Sequence, residues 1–228
     1  MGGGARMAVP VISCLVRYLR FLVPAVIALI LIHEVVRPPS EVFRKLLHMV
    51  AFLSTPVIMH AAGSWQVAVA VLALFGALVW PLLYFGERLP RYAELFVQRR
   101  THEVRRSMLL LFWGDALLVA LCWGVCKRPE VAVASILMWG FGDASAALVG
   151  KRYGRHHVAL PLADPQKTTE GSLALFLVSG LIGSFVLGIG PLVALAALVA
   201  AYVELITKGG YDTVTVPFAI AVVLLLLG

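Results

Sequence analysis

"WQVAVAVLALFGALVWPLLYF", residues 65–85, runs without a single charged side chain. A helix crossing the hydrocarbon core of a bilayer needs about 20 such residues. Comparable stretches recur at 21–36, 46–62, 107–126, 131–149, 171–190, 191–206 and 213–228, which makes about eight candidate spans in 228 residues. The chain is 61% hydrophobic and 14% charged, with a mean hydropathy of +0.94. Those values exclude a water-soluble domain of this size. The expected fold is all-α, a polytopic helical bundle integral to the membrane, read as one transmembrane catalytic domain over 1–228.

The net charge of +7 does not point to nucleic acid, because the cations lie in short loops between apolar segments and not along one soluble face. The partner they imply is the bilayer itself. With loops numbered by the span they follow, 14 of the 19 Lys and Arg residues fall on odd loops. These are Arg37, Arg44 and Lys45; Arg88, Arg91, Arg99, Arg100, Arg105 and Arg106; Lys151, Arg152, Arg155 and Lys167; and Lys208. The positive-inside rule puts those loops in the cytoplasm. Arg6, Arg17 and Arg20 oppose this orientation, but the excess on the odd loops overrides them. No small-residue cleavage signature follows, so the first segment is expected to be a membrane helix and not a removed signal. The insert "GERLPRYAELFVQRRTHEVRRS", residues 86–107, is expected to be a cytoplasmic basic loop, with a short amphipathic helix around 95–97. Cys14, Cys122 and Cys126 form no CxxC pattern and are read as packing residues. The oligomeric state is left open by the sequence.

Four stretches break the apolar pattern. In "GFGDASAALVGKRYG", residues 140–154, Asp143, Ala147, Gly150 and Gly154 recur at helical spacing and share one face. Small residues explain close helix packing but leave the carboxylate unexplained. An ionisable group within a membrane segment is a functional candidate by default. The stretch is no Walker A loop, since Arg152 follows Gly150 and Lys151 where Ser or Thr would stand. Its glycines, with Lys151, Arg152 and Arg155, could still cradle a phosphate. In "DPQKTTEGS", residues 164–172, Thr168 or Thr169 can cap a helix whose N-terminus attracts anions, with Lys167 beside it. Glu170 in the first turn serves equally as a metal ligand or as an ordinary first-turn acid. "EVFRKLLHM", residues 41–49, groups Arg44, Lys45 and His48 within about one turn. "ELITKGGYDTVTVP", residues 204–217, sets Glu204 and Asp212 on either side of a Gly-Gly turn. The span count places all four stretches on the cytoplasmic side. Carboxylates, cations and glycine turns together there point to a site for Mg²⁺ and a polyphosphate.

"RKLLH" (44–48), "GDASAALVGKRYG" (142–154), "KTTEGS" (167–172) and "ELITKGGYDTVTVP" (204–217) resemble the ordered motifs of the polyprenol kinase family. That family includes dolichol kinase, phytol kinase and CTP-dependent diacylglycerol kinase, and it is related to phosphatidate cytidylyltransferase. The resemblance implies CTP as phosphoryl donor, with Mg²⁺, and a membrane lipid alcohol as acceptor at the cytoplasmic face. Arg44 and Lys45 match the basic pair, and Asp143, Gly150 and Gly154 match the GDxxA motif and its glycines. Lys167, Glu170 and Gly171 match the motif that closes the CTP loop, while Asp212 and Pro217 match the final DN-x-x-x-P motif. Thr213 departs from that motif by standing where asparagine is usual.

The expected metal ligands are Asp143 and Asp212, with Glu170 and Glu204 as further candidates. Gly142, Gly150, Lys151, Arg152, Gly154, Lys167, Thr168 and Gly171 are expected around the nucleotide. Arg44, Lys45 and His48 complete the catalytic set with Asp143 and Asp212, and the general base is one of Asp143, Asp212 and His48. Two rival readings are a cytidylyltransferase, which would move the α-phosphorus of CTP, and a transporter of an anionic lipid or metabolite. Asp115 is expected about two turns inside the fourth span, facing the same cavity.

Overall fold

In a computed structural model, residues 3–88, 102–158, 163–165 and 167–228 are described. Among these residues the chain forms eight helices. They are α1 (Gly3–Leu31), ending in a π-helical turn (Ile32–Val36), α2 (Ser40–Ala62), α3 (Trp65–Gly86), α4 (Glu103–Val119), ending in a π-helical stretch (Ala120–Val125), α5 (Pro129–Tyr153), α6 (Thr169–Leu187), α7 (Pro191–Ile206) and α8 (Asp212–Leu226). Six are long and apolar enough to cross a membrane, whereas α7 and α8 have only 16 and 15 residues. Each expected span falls on one of these helices, so the chain is an all-α integral membrane protein. The amphipathic helix expected around 95–97 lies outside the described residues.

One boundary differs substantially from the sequence reading: α1 begins at Gly3 and not near 21, so Arg17 and Arg20 stand within a helix. Long arginine side chains make this tolerable by carrying their charge along the helix surface to a polar layer. Arg17 donates to the Ala61 carbonyl at 3.5 Å, level with the last turn of α2. The apolar stretch 21–36 runs back beside the first half of α2, where Phe21, Ala25 and Leu29 line one groove with Leu46, Met49 and Leu53.

The chain divides into two compact units, Met1–Ala120 and Leu121–Gly228. In the first, α1 shows Val9, Ile12, Val16, Leu19, Val23, Ile27 and Ile30 as an exposed stripe at three- and four-residue spacing. Such a stripe suits a helix that faces lipid. Its opposite side is polar at one level: the buried Tyr18 hydroxyl donates to Ser54 Oγ at 2.8 Å, and Ser54 Oγ donates to the Val50 carbonyl at 2.8 Å. Tyr18 also meets Phe75 edge-on at 5.3 Å, and Phe75 meets Phe112 at 4.9 Å, which ties α1, α3 and α4 together. Gly63, at φ 68°, turns the chain from α2 into α3.

The second unit packs by backbone proximity. A Cβ at Gly142 would stand 2.4 Å from Ser179 Oγ, and one at Gly183 would stand 2.8 Å from Met138 Sδ. Residues without side chains let α5 and α6 approach closely, as membrane helices do where no hydrophobic drive separates protein from lipid. Ser179 Oγ then donates across to the Met138 carbonyl at 2.7 Å.

Candidate active site

The second unit gathers the C-terminal part of α5, the start of α6, the end of α7 and the start of α8. Gly209 and Gly210, at φ 71° and 80°, adopt the left-handed backbone that glycine takes without a Cβ penalty. That turn returns the chain so that Asp212, the first residue of α8, comes back beside the last turn of α7. Oxygens of Asp143, Glu204 and Asp212 consequently lie within 4.8 Å of one another. Glu204 is buried at 3% exposure, and Asp143 and Asp212 are half-buried. The Thr213 N–H donates to Asp212 Oδ1 at 3.1 Å, so the threonine found in place of asparagine orients the aspartate through its backbone.

Lys167 closes this group. Its ammonium donates to Glu204 Oε1 and, at 3.1 Å, to the Glu204 carbonyl. The loop that carries it is fastened to α7, since the Asp164 N–H donates to the Leu205 carbonyl at 3.0 Å and the Lys167 N–H donates to the Asp164 carbonyl at 3.0 Å. Of the two threonines expected to cap α6, it is Thr168 that does so, accepting from the Gly171 N–H at 3.2 Å.

The glycines of the two motifs have a steric reason in this packing. A Cβ at Gly150 would stand 2.9 Å from Thr168 Oγ1, one at Gly171 would stand 2.9 Å from the Ala146 carbonyl, and one at Gly154 would stand 2.2 Å from the Gly150 carbonyl. The face that each glycine bares is thus filled by protein. Lys151 and Arg152 are exposed in the last turn of α5, the Arg152 guanidinium lying 5.5 Å over the Tyr153 ring.

Glu170 is not among the three clustered carboxylates. It stands 2.7 Å from His156 Nδ1, and this contact helps tie the end of the loop to α6. Of the four metal-ligand candidates, the structure therefore brings together Asp143, Glu204 and Asp212, and gives Glu170 another partner. Sequence reasoning missed His156, whose exposed position after Gly154 carries no pattern. It also missed the link between Lys167 and Glu204, which lie 37 residues apart.

In the first unit Arg44 pairs with Glu41 at 3.2 Å, Lys45 is buried, and His48 is half-buried. Asp115 lies deeper than expected, because α4 begins at Glu103 and so adds a turn before it. It is buried and accepts from Thr55 Oγ1 of α2 at 2.6 Å. Its partner is thus a hydroxyl of α2.

The three carboxylates supply hard oxygen donors from three helices, the donor type that Mg²⁺ and similar cations select. Like charges so close, partly out of water, are unfavourable unless a cation stands with them.

No family model matches the chain, and no solved structure matches it. Among curated proteins it is 31% identical to the phytol kinase of Synechocystis sp. over 204 residues, covering 81% of this chain and 78% of that protein. It is 33% identical to the dolichol kinase EVAN of Arabidopsis thaliana over 140 residues, covering 58% of this chain and 24% of that protein. With that identity, sustained over most of both chains in the first of these alignments, the chain belongs to the polyprenol kinase family.

Proposed function

We propose that this protein is a CTP-dependent lipid kinase that transfers the γ-phosphate of CTP to the hydroxyl of a membrane isoprenoid alcohol or diacylglycerol at the cytoplasmic face. The observation that carries this reading is the convergence of Asp143, Glu204 and Asp212 within 4.8 Å, with Lys167 beside them, at the end of the second unit where α6 begins. Phosphoryl transfer asks a protein chiefly for positioning and for charge neutralisation, and these residue types provide both.

Asp143 and Asp212, with Glu204, would hold Mg²⁺, which when bound neutralises phosphate oxygens. Lys167 and the N-terminal end of α6, where the helix dipole favours negative charge, are suited to phosphate oxygens. Lys151 and Arg152 raise the positive potential around the approach. The lipid oxygen forms its bond to the γ-phosphorus as the bond to the β–γ bridging oxygen breaks; CDP leaves, and the hydroxyl proton passes to a carboxylate of the site. Arg44, Lys45 and His48, matched to the family's basic motif, are tested by substitution in the same assay.

The test uses purified protein, γ-labelled or α-labelled CTP or ATP, and a panel of phytol, farnesol, geranylgeraniol, a long polyprenol and diacylglycerol. The γ-label should appear in the lipid with CTP. Transfer of the α-label instead would establish the cytidylyltransferase reading, and preference for ATP would overturn the donor. The cytoplasmic orientation rests on the 14 basic residues of the odd loops. With Cys14, Cys122 and Cys126 replaced, Arg155→Cys should react with an impermeant thiol reagent only after the membrane is opened, and Ser64→Cys in intact cells. The reverse pattern would invert the orientation.

A further inference from the structure

Three carboxylates within 4.8 Å call for a cation, and in this structure a side chain supplies it. Lys167 holds Glu204 at two points, carboxylate and carbonyl, and both side chains are largely buried, at 21% and 4% exposure. The backbone on either side of the lysine is fixed separately: its N–H donates to Asp164, and its carbonyl accepts from the Val158 N–H at 3.2 Å. The ammonium is carried on a flexible four-carbon stem, so it can leave Glu204 without moving the loop. A divalent ion drawing on Glu204 and the lysine therefore seek the same oxygen.

We infer that Lys167 is an internal counter-ion that competes with the divalent metal for Glu204, and that a bound polyphosphate ends the competition by taking the ammonium onto its own oxygens. The second half rests on the kinase reading; the first half does not. Metal and nucleotide then assist each other, since the nucleotide removes the lysine that keeps the metal out, and this coupling is reciprocal. In the resting protein the lysine occupies Glu204 and offsets part of the negative charge, so the acidic site does not take up free metal ions readily.

The experiment titrates the purified full-length chain with Mn²⁺, as a paramagnetic probe of the metal site, without nucleotide or lipid. Lys167→Met and Lys167→Gln should bind Mn²⁺ about tenfold more tightly than the wild type or more, through loss of a competing charge at contact distance. Lys167→Arg should bind like the wild type. In the transfer assay the same neutral variants should show a raised KM for the nucleotide, so the two affinities move in opposite directions. A lysine that only braces the loop would weaken both, and neutral variants that bind Mn²⁺ no more tightly overturn the inference. Because the titration contains no nucleotide, that failure leaves the kinase reading to the labelled-phosphate assay. If Lys167→Met does not fold, Lys167→Gln, which keeps a hydrogen-bond donor for Glu204, decides the matter.

Discussion

The first unit buries a carboxylate and gives it a hydroxyl; the second brings three carboxylates together and gives them a lysine. Both units place ionisable groups in an apolar surround, where an unpartnered one is costly. In the first, two pairs of buried polar side chains meet: Tyr18 with Ser54, and Thr55 with Asp115. Such pairs hold helices in register. In the second, like charges crowd together, and folding alone gives no reason for that. Polar groups that answer one another serve the fold, whereas like charges brought together mark a place suited to a cation.

The largest effect expected from this contrast is on chemistry. Asp143→Asn, nearly isosteric, should lower phosphate transfer by about a hundredfold or more, as the loss of a major electrostatic element does. Its thermal unfolding in detergent should stay close to that of the wild type. Transfer at the wild-type rate in saturating Mg²⁺ would remove Asp143 from the site. The mirror experiment is Thr55→Val in the first unit, which should lower stability by about 2 to 3 kcal/mol by leaving a buried carboxyl without its donor. The folded fraction should retain its KM for nucleotide. A changed KM with an unchanged melting temperature would show that this pair, too, belongs to the chemistry.

Packing differs between the units as well. Gly142→Ala places a Cβ where Ser179 Oγ now lies and should cost about 1 to 2 kcal/mol, measured by denaturation of the purified protein. Tyr18→Phe removes one buried hydrogen bond while keeping the ring contact with Phe75, and should cost about 1 kcal/mol. Should the order of these two reverse, close backbone approach would not be what binds α5 to α6.

Much of this was legible in the sequence, because membrane helices announce themselves by composition. Asp143 stood out as a charge in an apolar run, and the Gly-Gly turn flanked by Glu204 and Asp212 gave the other two carboxylates. That Thr168 or Thr169 would cap α6 followed from residue type and position. What stayed hidden depends on distance in space. Glu170 seemed as fit for metal as Glu204 until His156 was seen beside it, and Thr55 carries no sign that it faces Asp115 across 60 residues. The division into two units has no marker either, since it falls within the π-helical stretch that ends α4, without a polar linker. The early start of α1 escaped for a simpler reason: its arginines look like a boundary, and helices accept them when their side chains can reach a polar layer.

The shortness of α7 and α8 has a bearing on the bilayer. At 1.5 Å per residue their 16 and 15 residues extend about 24 and 22 Å, against a hydrocarbon core of roughly 30 Å. Local thinning of the membrane is one way in which hydrophobic mismatch of this kind is accommodated, beside snorkelling of flanking side chains and oligomerisation. The end of α7 and the start of α8 are where Glu204 and Asp212 stand, so thinning there would bring headgroups and water towards the carboxylates. On the proposed kinase reading, such thinning would bring a lipid hydroxyl lying among the headgroups to the depth of the acidic site.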